Sequence, residues 1–261
     1  MTNRRPPLYL LIPAGAALAL VLVPIAGLLQ HVPWHTLLTQ VTSDQVLTAL
    51  RLSLVCSVLA VVVALVLGVP LAWMLARTTF PGKAMVRAVV TLPLVLPPVV
   101  GGVALLFAFG AHGFAGEALA HLGVTLPFTT AGAVLAETFV AMPFLVIAVE
   151  AGIRQADVRY EEAAATLGAG AWMRFWRVTV PLIAPSLAAG AALTWARALG
   201  EFGATITFAG NLPGTTQTMP LAVYVALESN TDGAIALSLV LLVVSLGILL
   251  GLRHRWLGVR V

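Results

Sequence analysis

Six long apolar stretches, separated by short polar segments, most strongly limit what this chain can fold into. Each has the ~20 mostly apolar residues that a helix needs to cross a bilayer. Lipid offers the backbone no hydrogen-bonding partner, so the chain must be helical over these lengths. The sequence therefore predicts an all-α integral membrane protein with six transmembrane helices. The predicted spans cover roughly residues 8–29, 47–76, 85–110, 129–150, 182–208 and 233–252.

Composition supports the same class of protein. Charged residues make up only 9% of the 261 residues, whereas soluble domains carry about a quarter. A formal net charge of +4 would suggest nucleic-acid binding in a soluble protein, but here the basic residues flank predicted spans. Membrane topology explains them better, and no nucleic-acid partner is predicted. The single cysteine, Cys56, excludes an intramolecular disulfide.

The distribution of basic residues predicts the orientation. If the N-terminus is cytoplasmic, only Arg51 and Arg197 of the 14 Lys and Arg residues lie outside the cytoplasmic segments, which leaves 12 inside. Because short cytoplasmic loops are enriched in Lys and Arg, both termini are predicted to be cytoplasmic. The first apolar run is longer than a secretory signal core and is expected to be a retained helix. The predicted outer loops, which contain no Lys or Arg, are 31–45, 111–128 and 209–232.

The longest polar interval runs from Glu161 to Pro181, between the fourth and fifth predicted spans. Two glutamates, three alanines and Gly168 predict a short helix that can lie close against another surface and a glycine turn out of it. Pro181 is expected to restart the chain at the membrane, and the Trp-rich stretch before it to be an interfacial anchor. Between two membrane spans, this helix is expected to find nothing of its own chain to pack on. It is therefore predicted to dock a second protein.

The spacing inside this interval is specific. It reads Glu162-Ala163-Ala164, three residues, Gly168, nine residues, then Val178-Thr179-Val180-Pro181. This resembles the cytoplasmic EAA loop of binding-protein-dependent ABC importer permeases, with valine where the pattern usually has isoleucine and leucine. The resemblance covers roughly residues 47–252 and implies a type I ABC importer permease fold, with a coupling helix seated on a cytoplasmic ATPase subunit. The residues that it assigns to coupling are Glu161, Glu162, Ala163, Ala164, Gly168 and Pro181.

The resemblance also implies partners. The permease is expected to act as a homodimer with two cytoplasmic ABC ATPase subunits and an extracytoplasmic oxyanion-binding protein, in the bacterial cytoplasmic membrane. Gly82-Lys83 is followed by alanine and lacks the rest of a nucleotide-binding loop. ATP and Mg are therefore expected on the ATPase subunit. This chain is predicted to hold no metal, no cofactor and no catalytic residue, and not to be an enzyme.

Arg197 and Glu201, inside the fifth predicted span, lie four residues apart and so on one helix face. Charges at membrane depth usually face a bundle interior or a pathway. The surrounding sequence resembles the molybdate branch of these permeases, with sulfate permeases as close relatives. Arg197 is hypothesised to supply positive potential along an anion path, and Glu201 to neutralise it in part so that the dianion is not trapped; Thr205 is a further path candidate. A structural ion pair between helices or subunits is the alternative. Glu137, in the fourth span, is expected in the bundle interior.

Two further segments are candidate parts of a path. Pro97 and Pro98 belong to a cluster, from Pro93 to Gly102, whose irregular backbone is expected to line a cavity. On the outer side, polar residues around a Pro-Gly turn are candidates for an outer gate or for docking of the binding protein. An ordinary turn is the alternative there. These outer candidates are Asn211, Thr215 and Thr216.

Together these features predict the transmembrane subunit of an ATP-driven importer of a tetrahedral oxyanion that works by alternating access. Molybdate is the first candidate substrate, with tungstate and sulfate as alternatives. A self-sufficient secondary transporter would not need the coupling loop, and no clustered His, Cys or Ser-His-Asp group supports a membrane enzyme. The predicted domains are an N-terminal helix with its outer loop (1–46), a core (47–252) containing the coupling loop (151–181), and a basic cytoplasmic tail (253–261).

Overall fold

A computed structural model describes residues 8–256, and over that range the chain forms helices and connecting turns but no strand. The first residues of the predicted N-terminal domain and residues 257–261 of the predicted tail lie outside the described range. The helices are α1 (Leu8–Gln30), α2 (Leu37–Val41), α3 (Asp44–Arg77), α4 (Lys83–Thr91), α5 (Pro98–Phe109), α6 (Phe114–Ala120), α7 (Thr130–Gln155), α8 (Val158–Thr166), α9 (Ala171–Arg174), α10 (Val180–Leu199), α11 (Gly203–Phe208), α12 (Met219–Ser229) and α13 (Thr231–Trp256).

Among the described residues, five helical runs are long and apolar enough to cross a membrane. They are α1, α3, α7, the continuous run Ala171–Leu199, and α13 from Thr231 to Ile248. These match five of the six predicted spans, and the all-helical membrane fold is confirmed. A sixth crossing exists only if the helices Lys83–Leu94 and Pro98–Phe109 count as one span, and their axes differ by 115°. The third predicted span is therefore not one straight helix.

Proline explains this break. Pro98 is the first residue of α5, and Pro97 before it has an extended backbone with ψ of 133°. The preceding helix has already ended: α4 stops at Thr91, and a 3-10 turn at Leu92–Leu94 follows it. A proline disfavours helical geometry in the residue that precedes it, so Pro98 keeps Pro97 extended and prevents the helix from resuming before residue 98. At the first position of the new helix a missing N–H removes no hydrogen bond, so Pro98 can start α5.

The fifth predicted span, 182–208, differs from the structure at both ends. Its helical run starts earlier, at Ala171, and passes through one π-helical turn at Phe175–Thr179. Pro181 thus lies inside a continuous helical run and does not restart the chain; the wider π turn directly before it makes room for a ring that would otherwise clash with a preceding carbonyl. At the outer end, α10 stops at Leu199 and α11 begins at Gly203.

The centre of the molecule is built from α3, α7 and α10. Where they cross, Ala60, Ala141 and Ala198 pack together and are at most 1% exposed. Small residues let the backbones of membrane helices approach closely, and this close packing supplies the association energy that the hydrophobic effect cannot supply in lipid. Towards the inner end the same three helices are joined by bulkier side chains: Leu75, Leu145, Val149, Ile153 and Ile183.

The segment 209–232, predicted as an outer loop, contains a helix. In α12, Met219 and Ala222 are buried against Val46 and Ala49 of α3 and Leu237 of α13. The N–H of Met219 donates to Ser53 Oγ on α3 (2.7 Å), which satisfies one of the free donors at a helix start. With 11 residues, α12 is too short to cross a bilayer, and the length of an apolar run therefore does not predict it.

Helix α1 lies apart from this core. Its apolar residues are exposed along its length, and its main neighbour is α13. The predicted domain boundary at residues 46 and 47 falls within α3, which begins at Asp44.

Candidate functional site

The segment predicted to couple to an ATPase forms the short helix and glycine turn that its sequence indicates. Asp157 caps α8 by accepting a hydrogen bond from the N–H of Arg159 (3.0 Å), and the Arg159 side chain donates to the same carboxylate. These hydrogen bonds lower the pKa of Asp157. At the other end Gly168 has φ of +83°, and the N–H of Ala169 donates back to the carbonyl of Ala164 (3.0 Å).

One face of this segment is open. Leu167 is 88% exposed and Trp172 76% exposed, and Tyr160 is exposed on the same short stretch. Glu162 and Gly168 are also exposed. Exposed apolar side chains such as Tyr160 and Leu167 on a segment that also exposes Glu162 are suited to protein–protein contact, whereas Trp172 lies at the start of the run Ala171–Leu199 and fits the predicted interfacial anchor. The rings of Trp172 and Trp176 pack edge to face, with centroids 5.6 Å apart.

The opposite face of α8 is not free, which corrects the expectation that it has nothing of its own chain to pack on. Glu161 Oε1 accepts hydrogen bonds from Arg77 Nη2 (3.1 Å) and Thr179 Oγ1 (3.0 Å). Arg77 is the last residue of α3, and Thr179 directly precedes α10. Glu161 and Glu162, adjacent in sequence, therefore differ in surroundings: Glu161 contacts the core, whereas Glu162 is exposed.

A second ion-pair group joins α4 to the inner end of α7. Glu150 Oε1 accepts from Arg87 Nη2 (2.5 Å) and from Arg154 Nη2 (2.7 Å). In the sequence, Arg87 and Arg154 count only among the basic residues that indicate the membrane orientation, and Glu150 has no predicted role. The four-residue spacing of Glu150 and Arg154 could have predicted their ion pair. No local feature of the sequence predicts the contact between Glu150 and Arg87 on α4.

Arg197 and Glu201, expected on one helix face, form an ion pair with each other. The pair spans the end of α10, because Glu201 lies in the break before α11. Glu201 is 1% exposed, and its Oε1 accepts from the N–H of Ala204 (2.9 Å) in the first turn of α11. The Arg197 side chain remains 28% exposed. The pair thus joins α10 to the break before α11 within one chain, and part of the Arg197 side chain remains accessible.

The path candidates on α5 and α11 lie against each other. Pro98 packs on Gly203, where a Cβ would approach the proline to 2.9 Å, and a Cβ on Gly102 would lie 2.8 Å from the carbonyl oxygen of Ala204. Pro97 is exposed, whereas Thr205 is fully buried. The structure therefore brings Pro98 and the Glu201 segment together, and it places Thr205 inside the chain.

Glu137 lies in the bundle interior, as expected, with 1% exposure. Its neighbours one turn away on α7, Ala133 and Ala141, pack against Cys56 and Ala60 of α3. Within residues 8–256, Glu137 Oε2 has no hydrogen-bond partner.

The three outer candidates differ in their surroundings. Thr216 is buried, and its Oγ1 accepts from the N–H of Leu212 (2.9 Å), which closes the Pro-Gly turn. Thr215 is exposed, and its carbonyl accepts from Thr130 Oγ1 (2.8 Å) at the start of α7. Asn211 is half-buried. This geometry favours the ordinary-turn interpretation for Thr216 and leaves Thr215 accessible from outside.

Comparison with known proteins gives one family. Residues 64–261 match the family described as binding-protein-dependent transport system inner membrane component. The chain is 44% identical over 249 residues to the molybdenum transport system permease protein ModB of Mycobacterium tuberculosis, covering 95% of this chain and 94% of that one. It is 36% identical over 231 residues to the sulfate transport system permease protein CysT of Escherichia coli, covering 87% and 83%.

Solved structures share the fold at lower identity. A bacterial ABC transporter involved in the import of the acidic polysaccharide alginate matches with a TM-score of 0.77 at 21% identity, over 97% of this chain and 96% of that one. The alginate transporter in complex with an alginate pentasaccharide-bound periplasmic protein matches with a TM-score of 0.75 at 20% identity, over 95% and 92%. The resemblance noted from the sequence is therefore confirmed.

Proposed function

The chain belongs to the family of binding-protein-dependent transport system inner membrane components, and we propose that it is the permease subunit of an ATP-driven importer whose substrate is molybdate. The observation that carries the coupling half of this proposal is the exposed surface on α8 and the turn after it. Glu162 on α8 and Leu167 directly after it are both exposed, on a segment that carries the EAA spacing. An ATPase subunit docked on this surface would supply the energy, and ATP and Mg would bind to that subunit.

The substrate assignment is supported by similarity. Identity to the molybdenum permease, 44%, exceeds identity to the sulfate permease, 36%, over alignments of comparable length. Molybdate and sulfate are both tetrahedral dianions, so the permease can treat them alike while an external binding protein selects between them. The segment around Thr215 is the proposed docking place for that protein.

A second copy of the chain is part of the proposal. Arg197 lies roughly 24 Å along the helical run from Pro181, at about 1.5 Å per residue, and its side chain is 28% exposed. A guanidinium facing lipid at that depth is costly, so a second copy that covers this face would shield it and leave it beside a path between the two chains. An apolar groove of about 550 Å³, lined by Phe202 and Tyr224, lies between α12 and α13 and offers surface for the same contact.

Reconstitution tests the proposal. The chain, its ATPase subunit and its binding protein are placed in proteoliposomes, and uptake of labelled molybdate is measured with competing tungstate and sulfate. ATP-dependent uptake inhibited by tungstate more than by sulfate is expected. If sulfate competes as well as molybdate itself, the substrate assignment is wrong. If the chain does not associate with an ATPase subunit, and Glu162→Gln leaves uptake intact, the importer proposal is wrong.

A further inference from the structure

A shielded ion pair links the exposed helix α8 to the membrane core. The Glu161 side chain is 16% exposed and that of Arg77 15% exposed, so their ion pair is largely shielded from water. A charge-assisted hydrogen bond in such a place is stronger than one at an open surface. Glu162, the next residue, is exposed and makes no such contact within the described chain. The two carboxylates therefore have different tasks.

The Glu161 contact, defined here as Glu161 with Arg77 and Thr179, reaches more than one core helix. Arg77 ends α3 and also donates to the carbonyl of Ala156 (3.4 Å), just after α7. Thr179 is 2% exposed and leads directly into α10. A single carboxylate oxygen thus connects α8 directly with the inner ends of α3 and α10, and Arg77 extends the connection to the end of α7.

The covalent route from α8 to α10 is less direct. It passes through Gly168, whose φ of +83° is a conformation that glycine adopts without steric cost, and through Gly170. Glycines give a segment conformational freedom, so a push on α8 is not passed on rigidly through this turn. Towards α3 there is no short covalent route, because the connection runs back through the whole of α7. The Glu161 contact bypasses both.

We propose that Glu161 is a positioning residue that transmits displacement of α8 to α3 and α10, and that it does not itself bind the ATPase. This inference rests on the proposed function, since displacement of α8 presupposes a docked ATPase. It separates two roles inside one motif: Glu162 faces the partner, and Glu161 carries the motion inward.

The test compares Glu161→Gln with Glu162→Gln and with Glu117→Gln, an exposed carboxylate on α6 that serves as control. Each variant is reconstituted with the ATPase and binding protein, and three quantities are measured: affinity for the ATPase subunit, ATP hydrolysis rate, and molybdate taken up per ATP hydrolysed. For Glu161→Gln we expect unchanged affinity and hydrolysis but about tenfold less uptake per ATP, since one charge-assisted hydrogen bond is lost. Glu162→Gln should lower affinity, and Glu117→Gln should change nothing.

A double-mutant cycle identifies the partner. Arg77→Gln alone should lower uptake per ATP as Glu161→Gln does, and the double variant should be no worse than either single variant, because both remove the same link. Additive losses, an unchanged uptake ratio in Glu161→Gln, or a loss of ATPase affinity equal to that of Glu162→Gln would each overturn the inference. If the unmodified chain shows no ATP-dependent uptake, the proposed function fails, and the inference fails with it. If the unmodified chain transports normally, those three results count against Glu161 alone.

Discussion

Arg197 at the end of α10 and Glu201 in the break before α11 are joined in an ion pair that also fixes the start of the next helix. Glu201 uses one oxygen for Arg197 and the other for the N–H of Ala204. The carboxylate therefore has a structural task that does not depend on transport. Arg197, whose side chain is partly exposed, is the half of the pair that the proposed anion path would use.

Neutralising the two residues separately and together distinguishes these tasks. Arg197→Gln should destabilise the protein by about 3 kcal/mol, because it leaves a buried carboxylate without its partner. The double variant Arg197→Gln/Glu201→Gln should recover much of that loss, since no charge is left unpaired. Molybdate uptake should stay low in both, because both lack the guanidinium. Thermal unfolding in detergent and proteoliposome uptake measure the two effects. A double variant that transports at the full rate would show that the pair is only structural.

Close contact between α5 and α11 predicts a second effect. In Gly102→Ala the new methyl group would lie 2.8 Å from the carbonyl oxygen of Ala204. Because that oxygen belongs to the backbone, relieving the clash would require α5 or α11 to shift. Overpacking of this kind costs about 1–3 kcal/mol. Gly15→Ala in α1 is the matched control, because a Cβ there meets nothing within 4 Å, and alanine in a helix interior is slightly favourable. A loss of stability as large in the control as at Gly102 would contradict this reading of the contact.

The membrane spans could be predicted because their signal is local. A run of about 20 apolar residues in lipid has few conformations open to it besides a helix. The EAA spacing of the predicted coupling loop likewise lies within one short stretch of sequence. The interruption at residues 200–202 had only a weak local signal, Gly200 directly after α10, and the hydrogen bond of Glu201 with the N–H of Ala204 had none. The helix α12 was missed because it is short, although its apolar run with Pro220 in the first turn is typical of a helix start.

The contacts of the coupling segment were beyond prediction for a different reason. Arg77 and Glu161 are 84 positions apart, and no periodicity links them. Both were visible as charges near predicted span ends, but only the packing of α3 beside α10 brings them within 3.1 Å. The sequence motif predicts that α8 docks a partner. Only the tertiary structure shows that Glu161 on the same helix contacts Arg77 and Thr179.

The Glu150 group gives a third prediction, this time about stability at the inner surface. Arg154→Ala should change the free energy of unfolding by less than about 1 kcal/mol, because that arginine is half exposed and pairs within its own helix. Glu150→Ala should cost more, about 2 kcal/mol, since it removes the link to α4 and leaves two arginines close together. Chemical unfolding in detergent measures both. Equal effects would mean that the contact between Arg87 and Glu150 adds nothing.

The cap of α8 gives a prediction about pH. The pKa of Asp157 is lowered by its hydrogen bonds from Arg159, so its folded pKa lies below the unfolded value of about 3.9. Stabilisation from this carboxylate is therefore present above pH 4 and lost as the pH falls through the folded pKa. Hydrogen-exchange protection of α8, corrected for intrinsic exchange, should be constant from about pH 8 to 5 and decline below about 4.

Asp157→Asn provides the control for this decline. Asparagine is also a good helix cap but cannot titrate, so the variant should keep its α8 protection constant over the whole interval. Its protection at neutral pH should be lower than that of the unmodified chain, because a neutral side chain loses the ionic contact with Arg159 and the favourable interaction with the helix dipole. If the unmodified chain and Asp157→Asn lose protection together below pH 4, a different acidic group controls α8.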